Sequence, residues 1–327
     1  MTLNAVKKTC VLLLSLVGWL QASSAAAPQA PVPNVATLSY GLKAYPLGGG
    51  WHLIPGANDD FSRANGCNII NTGFLVANGQ VVVVNTGVSR RYGEQQRALI
   101  DAVSGGLPIK QVLALNLHPD YFMGNQAYSA NTLTATALTR TGIQAEGKAY
   151  EDNLFRLCGD WMSGTQTVVP AQPMDAAQTR DLAGRPVKVL ELKGHTASDL
   201  VIHDPDTGVL WAGGLVFYNR IVTTPHADLK PWMDSLETLK RLSPRWVIPS
   251  HGTLTLGTVA IDQTLDYLKW LDRTLTDAAA QGLEMNEVMQ AGAPERFRQF
   301  AAYPAEFYRN VTTLYPRYEK AAIGVFR

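Results

Sequence analysis

The chain has 327 residues, 46% of them hydrophobic and 17% charged, with a formal charge of +1. That is enough apolar material for one large or two small domains. A chain this close to neutrality offers no electrostatic footprint for nucleic acid.

The first residues read as an export signal. Lys7 and Lys8 precede an apolar run over residues 11–20, and small residues follow at 22–27. This layout predicts a secretory signal peptide over residues 1–26, cut after Ala25 or Ala26. The run is too short for the roughly 30 Å of a bilayer core, and no other segment is long and apolar enough, so no stable membrane span is expected. Lys7 and Lys8 are the only charges in residues 1–26, so cleavage takes the net charge from +1 to −1. Residues 27–36, with Pro28, Pro31 and Pro33, read as an extended linker, and 37–327 as the folded domain. The mature chain is expected to be periplasmic. Cys10 leaves with the signal. Cys67 and Cys158 remain, either bridged in an oxidising compartment or as two buried thiols that never meet.

Residues 38–45 and 51–54 read as short strands around Gly48-Gly49-Gly50. That turn is either a plain hairpin or a flap carrying Trp51. Residues 69–77 and 80–85 flank Asn78-Gly79, the preferred type I′ hairpin dipeptide. Ser89 caps a helix running to about Val103. Residues 111–117 form a buried strand by their apolar run, with a short helix at about 120–128. Residues 137–161 are largely helical and are followed by 165–169. Strands follow at 187–193, 200–203 and 209–212, with a turn at 204–208 between the last two. Residues 229–242 form an amphipathic helix, 246–249 the last strand, and 259–280 and most of 286–318 are helical. Periodicity alone gives a mixed α and β class.

Several strand ends carry chemistry-bearing residues. Asn116-Leu117-His118-Pro119-Asp120-Tyr121 follows one apolar run, Gly194-His195-Thr196 another, and Pro249-Ser250-His251-Gly252 a third. Side chains at strand ends sit on rigid supports, and three such ends converging would make a metal site. Here the chain resembles the metallo-β-lactamase superfamily, which reads VVDTG, HxHxDH, GHT, AGDLVF and GHG in that order. Val83-Val84-Asn85-Thr86-Gly87, the 116–121 segment, His195, Ala212-Gly213-Gly214-Leu215-Val216-Phe217 and His251 occupy those places. Residues 87–94 and Thr223-Thr224-Pro225-His226-Ala227-Asp228 are closer to the SoxH-like branch, which includes the quinoprotein relay system zinc metallohydrolases.

The resemblance implies an α+β fold, a four-layer αββα sandwich, and a hydrolase with a water-activating zinc site. It implies His118, Asp120, His195 and His251 as metal ligands, with Asp120 also as the catalytic group that orients and deprotonates the water. Asn116, Tyr121 and Gly214 stand where the family has histidine, histidine and a bridging aspartate, and Asn85 where it has aspartate. An amide oxygen and a phenol are poor zinc ligands, and without the bridge two close dications repel. Asn85, Asn116, Tyr121 and Gly214 are therefore expected around the pocket rather than on the metal. One zinc ion is expected, and Gly214→Asp with Asn116→His and Tyr121→His should raise the count towards two. Trp161, Tyr218 and Arg220 are placed along the crevice by family layout, and Arg90-Arg91 are expected to face solvent. The implied substrate is a small ester, thioester, amide or phosphoester, and the implied setting is a periplasmic quinoprotein dehydrogenase system. A competing expectation is a disabled hydrolase fold that binds a small molecule or a dehydrogenase partner.

Overall fold

Two runs of strands, each paired in chain order, build two facing sheets. In the computed structural model, which describes residues 26–174 and 179–325, the first sheet holds seven strands. They are β1 (Tyr45–Gly48), β2 (Trp51–Ile54), β3 (Thr72–Ala77), β4 (Gln80–Val84), β5 (Ile109–Leu113), β6 (Leu133–Ala135) and β7 (Gln172–Pro173). The first four pair antiparallel and the last four parallel. The second sheet runs β8 (Arg180–Leu182), β9 (Arg185–Leu192), β10 (Asp199–Asp204), β11 (Val209–Trp211), β12 (Trp246–Ile248) and β13 (Thr255–Leu256). Only the β11–β12 pair in it is parallel. The signal-peptide expectation lies, except for Ala26, outside the described residues. Among the described residues no helix is long and apolar enough to cross a membrane.

The two-residue period of a strand sorts its side chains into layers. On β4, Val82 and Val84 face the second sheet, while Val81 and Val83 face outward with Ile100. On β10, Leu200 and Ile202 enter the same inter-sheet core, and Val201 turns outward to Trp232 and Leu236. The helices α1 (Arg90–Ser104) and α3 (Ala137–Cys158) flank the first sheet, with the short α2 (Pro119–Phe122) between them. The second is covered by α4 (Leu229–Arg241), α5 (Val259–Ala280) and α8 (Ala305–Val325), with α6 (Met285–Ala291) and α7 (Glu295–Arg298) before α8. This is the expected αββα sandwich.

Local signals explain most of the boundaries. Asn78 and Gly79 take φ values of 46° and 72°, as a type I′ turn requires. Ser89 caps α1, its hydroxyl accepting from the Tyr92 amide at 3.0 Å. Two expectations need correction. Residues 38–44 are not a strand, and only Tyr45 of that segment enters β1. Residues 165–169 follow α3 as irregular chain, held by side chains: the Gln166 and Thr167 amides donate to Gln126 Oε1 and Glu151 Oε1. The strand expected over 111–117 ends at Leu113, which frees Ala114 to His118 to shape the site. Trp51 is no flap. Its ring is buried between the sheets, and Nε1 donates to Asp204 Oδ2 at 2.8 Å. Cys67 and Cys158 are joined by a disulfide with Cα atoms 6.1 Å apart, tying the 62–68 loop to the end of α3.

Candidate functional site

The motif residues sit on the loops that leave β4, β5, β9, β11 and β12. After β5 the chain runs through Asn116 to His118, the residue before α2, and Asp120 lies in that helix's first turn. Asn116 Oδ1 accepts the His118 amide at 2.9 Å and fixes the bend. Asn85 adopts a φ of 57° at the end of β4, and its Oδ1 accepts the Leu115 amide at 3.1 Å. Asparagine thus still organises the loop as an acceptor. Gly194 places His195: it has a φ of 139°, and a Cβ there would strike the Trp232 backbone. The His251 loop is pinned by Asn71, whose Nδ2 donates to the Pro249 and Gly252 carbonyls at 2.9 and 2.7 Å.

The structure brings His118, Asp120, His195 and His251 into one neighbourhood, together with His226, which was not among the expected ligands. His118 Nε2 lies 2.9 Å from His226 Nδ1, and its ring meets that of His195 edge-on at 4.5 Å. His226 Nε2 in turn lies 3.0 Å from Glu146 Oε1 on α3. His195 Nδ1 lies 3.1 Å from Asp199 Oδ1, and His195 Nε2 is buried without a partner. His251 Nε2 lies 3.0 Å from Asp120 Oδ2, Nδ1 lies 2.9 Å from Ser250 Oγ, and the ring stacks on Phe217. Burial, then the neighbouring His195, His226 and His251, holds His118 well below the usual imidazole pKa. Burial likewise pushes His251 down to about 4, against the opposing bond to Asp120. Both are neutral at pH 7, the state a metal ligand or general base needs.

Sequence reasoning missed His226, Glu146 and Asp199. The signal for His226 lay in the 223–228 segment, whose resemblance to the SoxH-like branch was an expectation from sequence. Glu146 and Asp199 carried none. Trp161 lies away from the crevice, buried against Tyr40 with its Nε1 on the Arg63 carbonyl. Arg220 does border the site, its guanidinium 5.8 Å from the Phe217 ring centre. Arg90 faces solvent, paired with Glu94. A cavity of about 320 Å³ lies beside the His251 loop, lined by Pro28, Pro31, Asn58, Asn71 and Gly252 among others, but by none of these histidines.

Packing shows what stands around Gly214, Asn116 and Tyr121, the positions where the resemblance implied other residues. A Cβ at Gly214 would overlap His195 Nδ1 and stand 2.5 Å from Asn116 Nδ2. The place of the bridging aspartate is therefore filled by His195 and Asn116. Asn116 Nδ2 donates to Asp199 Oδ1 at 3.3 Å, so both ends of the amide are engaged. Tyr121 is buried, with its hydroxyl unpartnered near Ser250 and Asn116; burial, then Asp120, holds the phenol protonated far above neutral pH. These residues do not fit two ions, and Gly214→Asp alone would displace His195 rather than restore a bridge. They fit one: neutral imidazoles, a buried partnerless Nε2 on His195, and carboxylates behind two of the rings. Among the described residues, no three acidic, histidine or cysteine side chains yet gather their donors around one point. His118 is turned to His226, and His251 to Asp120.

The fold is similar to a metallo-beta-lactamase from Pontibacter korlensis, at 18% identity and a TM-score of 0.57 over 70% of this chain and 99% of that one. It is similar to the metallo-beta-lactamase IND-7, at 20% identity and a TM-score of 0.54 over 70% and 98%. It is also similar to the DIM-1 metallo-beta-lactamase, at 18% identity and a TM-score of 0.54 over 73% and 99%. No curated protein matches the chain. The family model described as the metallo-beta-lactamase superfamily matches residues 65–251, more than half the chain, and the chain belongs to that superfamily.

Proposed function

We propose that this protein is a metal-dependent hydrolase that works with a single divalent ion, zinc by its donor chemistry. The observation that carries the reading is His195: its Nε2 is buried, has no partner, and its ring meets His118 edge-on. Burying an imidazole acceptor unpaired is unfavourable, and a cation would satisfy it. A bound zinc supplies Lewis acidity, polarising a carbonyl or phosphoryl oxygen and making water a better acid.

The chain's own residues supply the rest. Asp199 holds His195 with its proton on Nδ1, leaving the Nε2 lone pair free. Asp120 and His251 form a carboxylate–imidazole pair able to accept a proton from water and pass it on. Phe217 keeps the His251 ring in plane, and Ser250 sets its other nitrogen. Near-complete burial of His118, His195 and His251 excludes bulk water. A small ester, thioester, amide or phosphoester suits such a closed site.

Metal content after purification without chelator tests this, followed by hydrolysis of a panel of those four classes. About one zinc per chain is expected, lost in His118→Ala and in His195→Ala. One observation favours a second reading, a small-molecule binding protein on the same fold: the donors do not stand gathered around one point. Zero zinc in a folded protein would transfer the site to that reading.

The same proposal places the protein outside the cytoplasm, beside a periplasmic quinoprotein dehydrogenase. The 1–26 pattern, the 223–228 segment of SoxH-like type and the Cys67–Cys158 disulfide support it, because such bridges persist in oxidising compartments. The intact mass of the exported product tests it: a chain retaining residues 1–26 in the membrane fraction would refute export.

A further inference from the structure

We infer that His226 is a metal ligand of this site, completing a three-nitrogen set with His118 and His195 in the place that Asn116 leaves vacant. This rests on the single-metal reading above and names which residues hold the ion.

Tautomers carry the argument. Glu146 Oε1 accepts from His226 Nε2 at 3.0 Å, and Glu146 Oε2 accepts from the Tyr150 hydroxyl at 2.7 Å. A carboxylate so placed puts the imidazole proton on Nε2 and turns the Nδ1 lone pair inward, towards His118. Asp199 does the same for His195. Its Oδ1 accepts from His195 Nδ1 and from Asn116 Nδ2, which leaves the His195 Nε2 lone pair buried and unanswered. Two imidazoles from unconnected loops thus present lone pairs, each backed by a carboxylate. His118 lies between them, with ring centres 4.5 Å from His195 and 5.2 Å from His226. Its own Nε2 can meet the His226 lone pair only as a donor. His118 and His226 are hydrogen-bonded to each other at 2.9 Å, and among the described residues no three such donors yet meet at one point.

The other candidates for the third position are occupied. Asn116 has its oxygen on the His118 amide and its NH2 group on Asp199. His251 has Nε2 on Asp120 and Nδ1 beside Ser250, and its ring is stacked on Phe217. His226 is engaged only by His118 and Glu146, and it sits on the loop before α4 with 28% of its side chain exposed, the most open imidazole of the group. Three histidines and an open position are the ligand pattern of a catalytic zinc site. The His251–Asp120 pair would then be left free to handle protons.

The test uses the full chain, stripped with chelator and titrated with zinc or cobalt(II) alone, on wild type, His226→Ala, Glu146→Gln, His251→Ala, His118→Ala and His195→Ala. Circular dichroism on each sample checks the fold. His226→Ala should weaken binding by more than about 100-fold, and Glu146→Gln by about 10–100-fold, the usual effect of removing a carboxylate behind a ligating histidine. His251→Ala should retain the metal, and cobalt absorption should change shape in His226→Ala only. Wild-type affinity in a folded His226→Ala, with loss in His118→Ala and His195→Ala, overturns this inference and leaves the hydrolase reading standing. Loss in His251→Ala with retention in His226→Ala also overturns it. No binding by folded wild type overturns both.

Discussion

Gly214→Ala probes the packing on which the site depends. The added Cβ would overlap His195 Nδ1 and approach Asn116 Nδ2 to 2.5 Å. Both side chains are fully buried, so neither can swing into solvent. Either His195 leaves Asp199, or the 213–215 turn shifts beneath Leu215 and Trp232. Loss of a buried hydrogen bond to a charged group costs about 1.5–3 kcal/mol. Overpacking adds about 1–3 kcal/mol, for a total of about 2.5–6 kcal/mol. A folded unit of about 300 residues has a melting entropy near 0.6 kcal/mol/K, so the midpoint should fall by roughly 4–10 °C. Thermal and urea unfolding followed by circular dichroism would measure it, with zinc content determined on the same preparation. A variant that melts within about 1 °C of wild type and keeps its metal would refute the reasoning. Gly214→Asp should be worse again, because the family's bridging carboxylate would enter a volume His195 already fills.

Other outcomes follow from the same contacts. Reducing the Cys67–Cys158 bridge, whose cysteines lie 91 residues apart, should destabilise the fold by about 4.6 kcal/mol on the chain-entropy account, and non-reduced, denatured protein should show no free thiol; two titratable thiols would disprove the bond. Asn71→Ala strands the buried Pro249 and Gly252 carbonyls and the Gly56 amide; a loss of about 2–4 kcal/mol and faster amide exchange around His251 are expected, and unchanged exchange there would count against the pinning role. Tyr121→Phe removes a buried hydroxyl with no partner, so stability should change by less than about 1 kcal/mol and zinc content should not change; loss of the metal would make the phenol a ligand after all. Burial tends to raise the Asp204 carboxyl pKa, but hydrogen bonds from Trp51 and Thr207 and the charge of Arg185 more than offset this and hold it below the usual range. A depressed folded pKa gives stability that is present above the unfolded carboxylate value, about 3.9, and lost as pH falls through the folded value. Asp204→Asn should therefore flatten the acid limb of the stability–pH curve, and an unaltered limb would exclude this carboxylate as a source of it.

The sequence by itself determined whatever depends on near neighbours. Asn78-Gly79 dictated its turn because both residues tolerate positive φ, and Ser89 dictated the start of α1 because its hydroxyl reaches the Tyr92 amide. The apolar runs alone gave only a mixed α and β class, while the five motifs, through their resemblance to the metallo-β-lactamase superfamily, implied two sheets and the loops that would carry His118, Asp120, His195 and His251. It could not say which of those side chains would face one another. His118 and His226 stand 108 residues apart and meet only because α3 and the loop before α4 close over the same sheet ends. Glu146 carried no signal, since a glutamate on an amphipathic helix looks alike whether it faces water or a histidine. Gly214 read as a lost ligand, and only packing revealed it as the space His195 occupies. Hydrogen-bond partners, tautomers and excluded volume are properties of juxtaposition, and they come into being only when distant segments share a volume. Tertiary structure therefore decided the donor set, while local chemistry had already decided the scaffold that holds it.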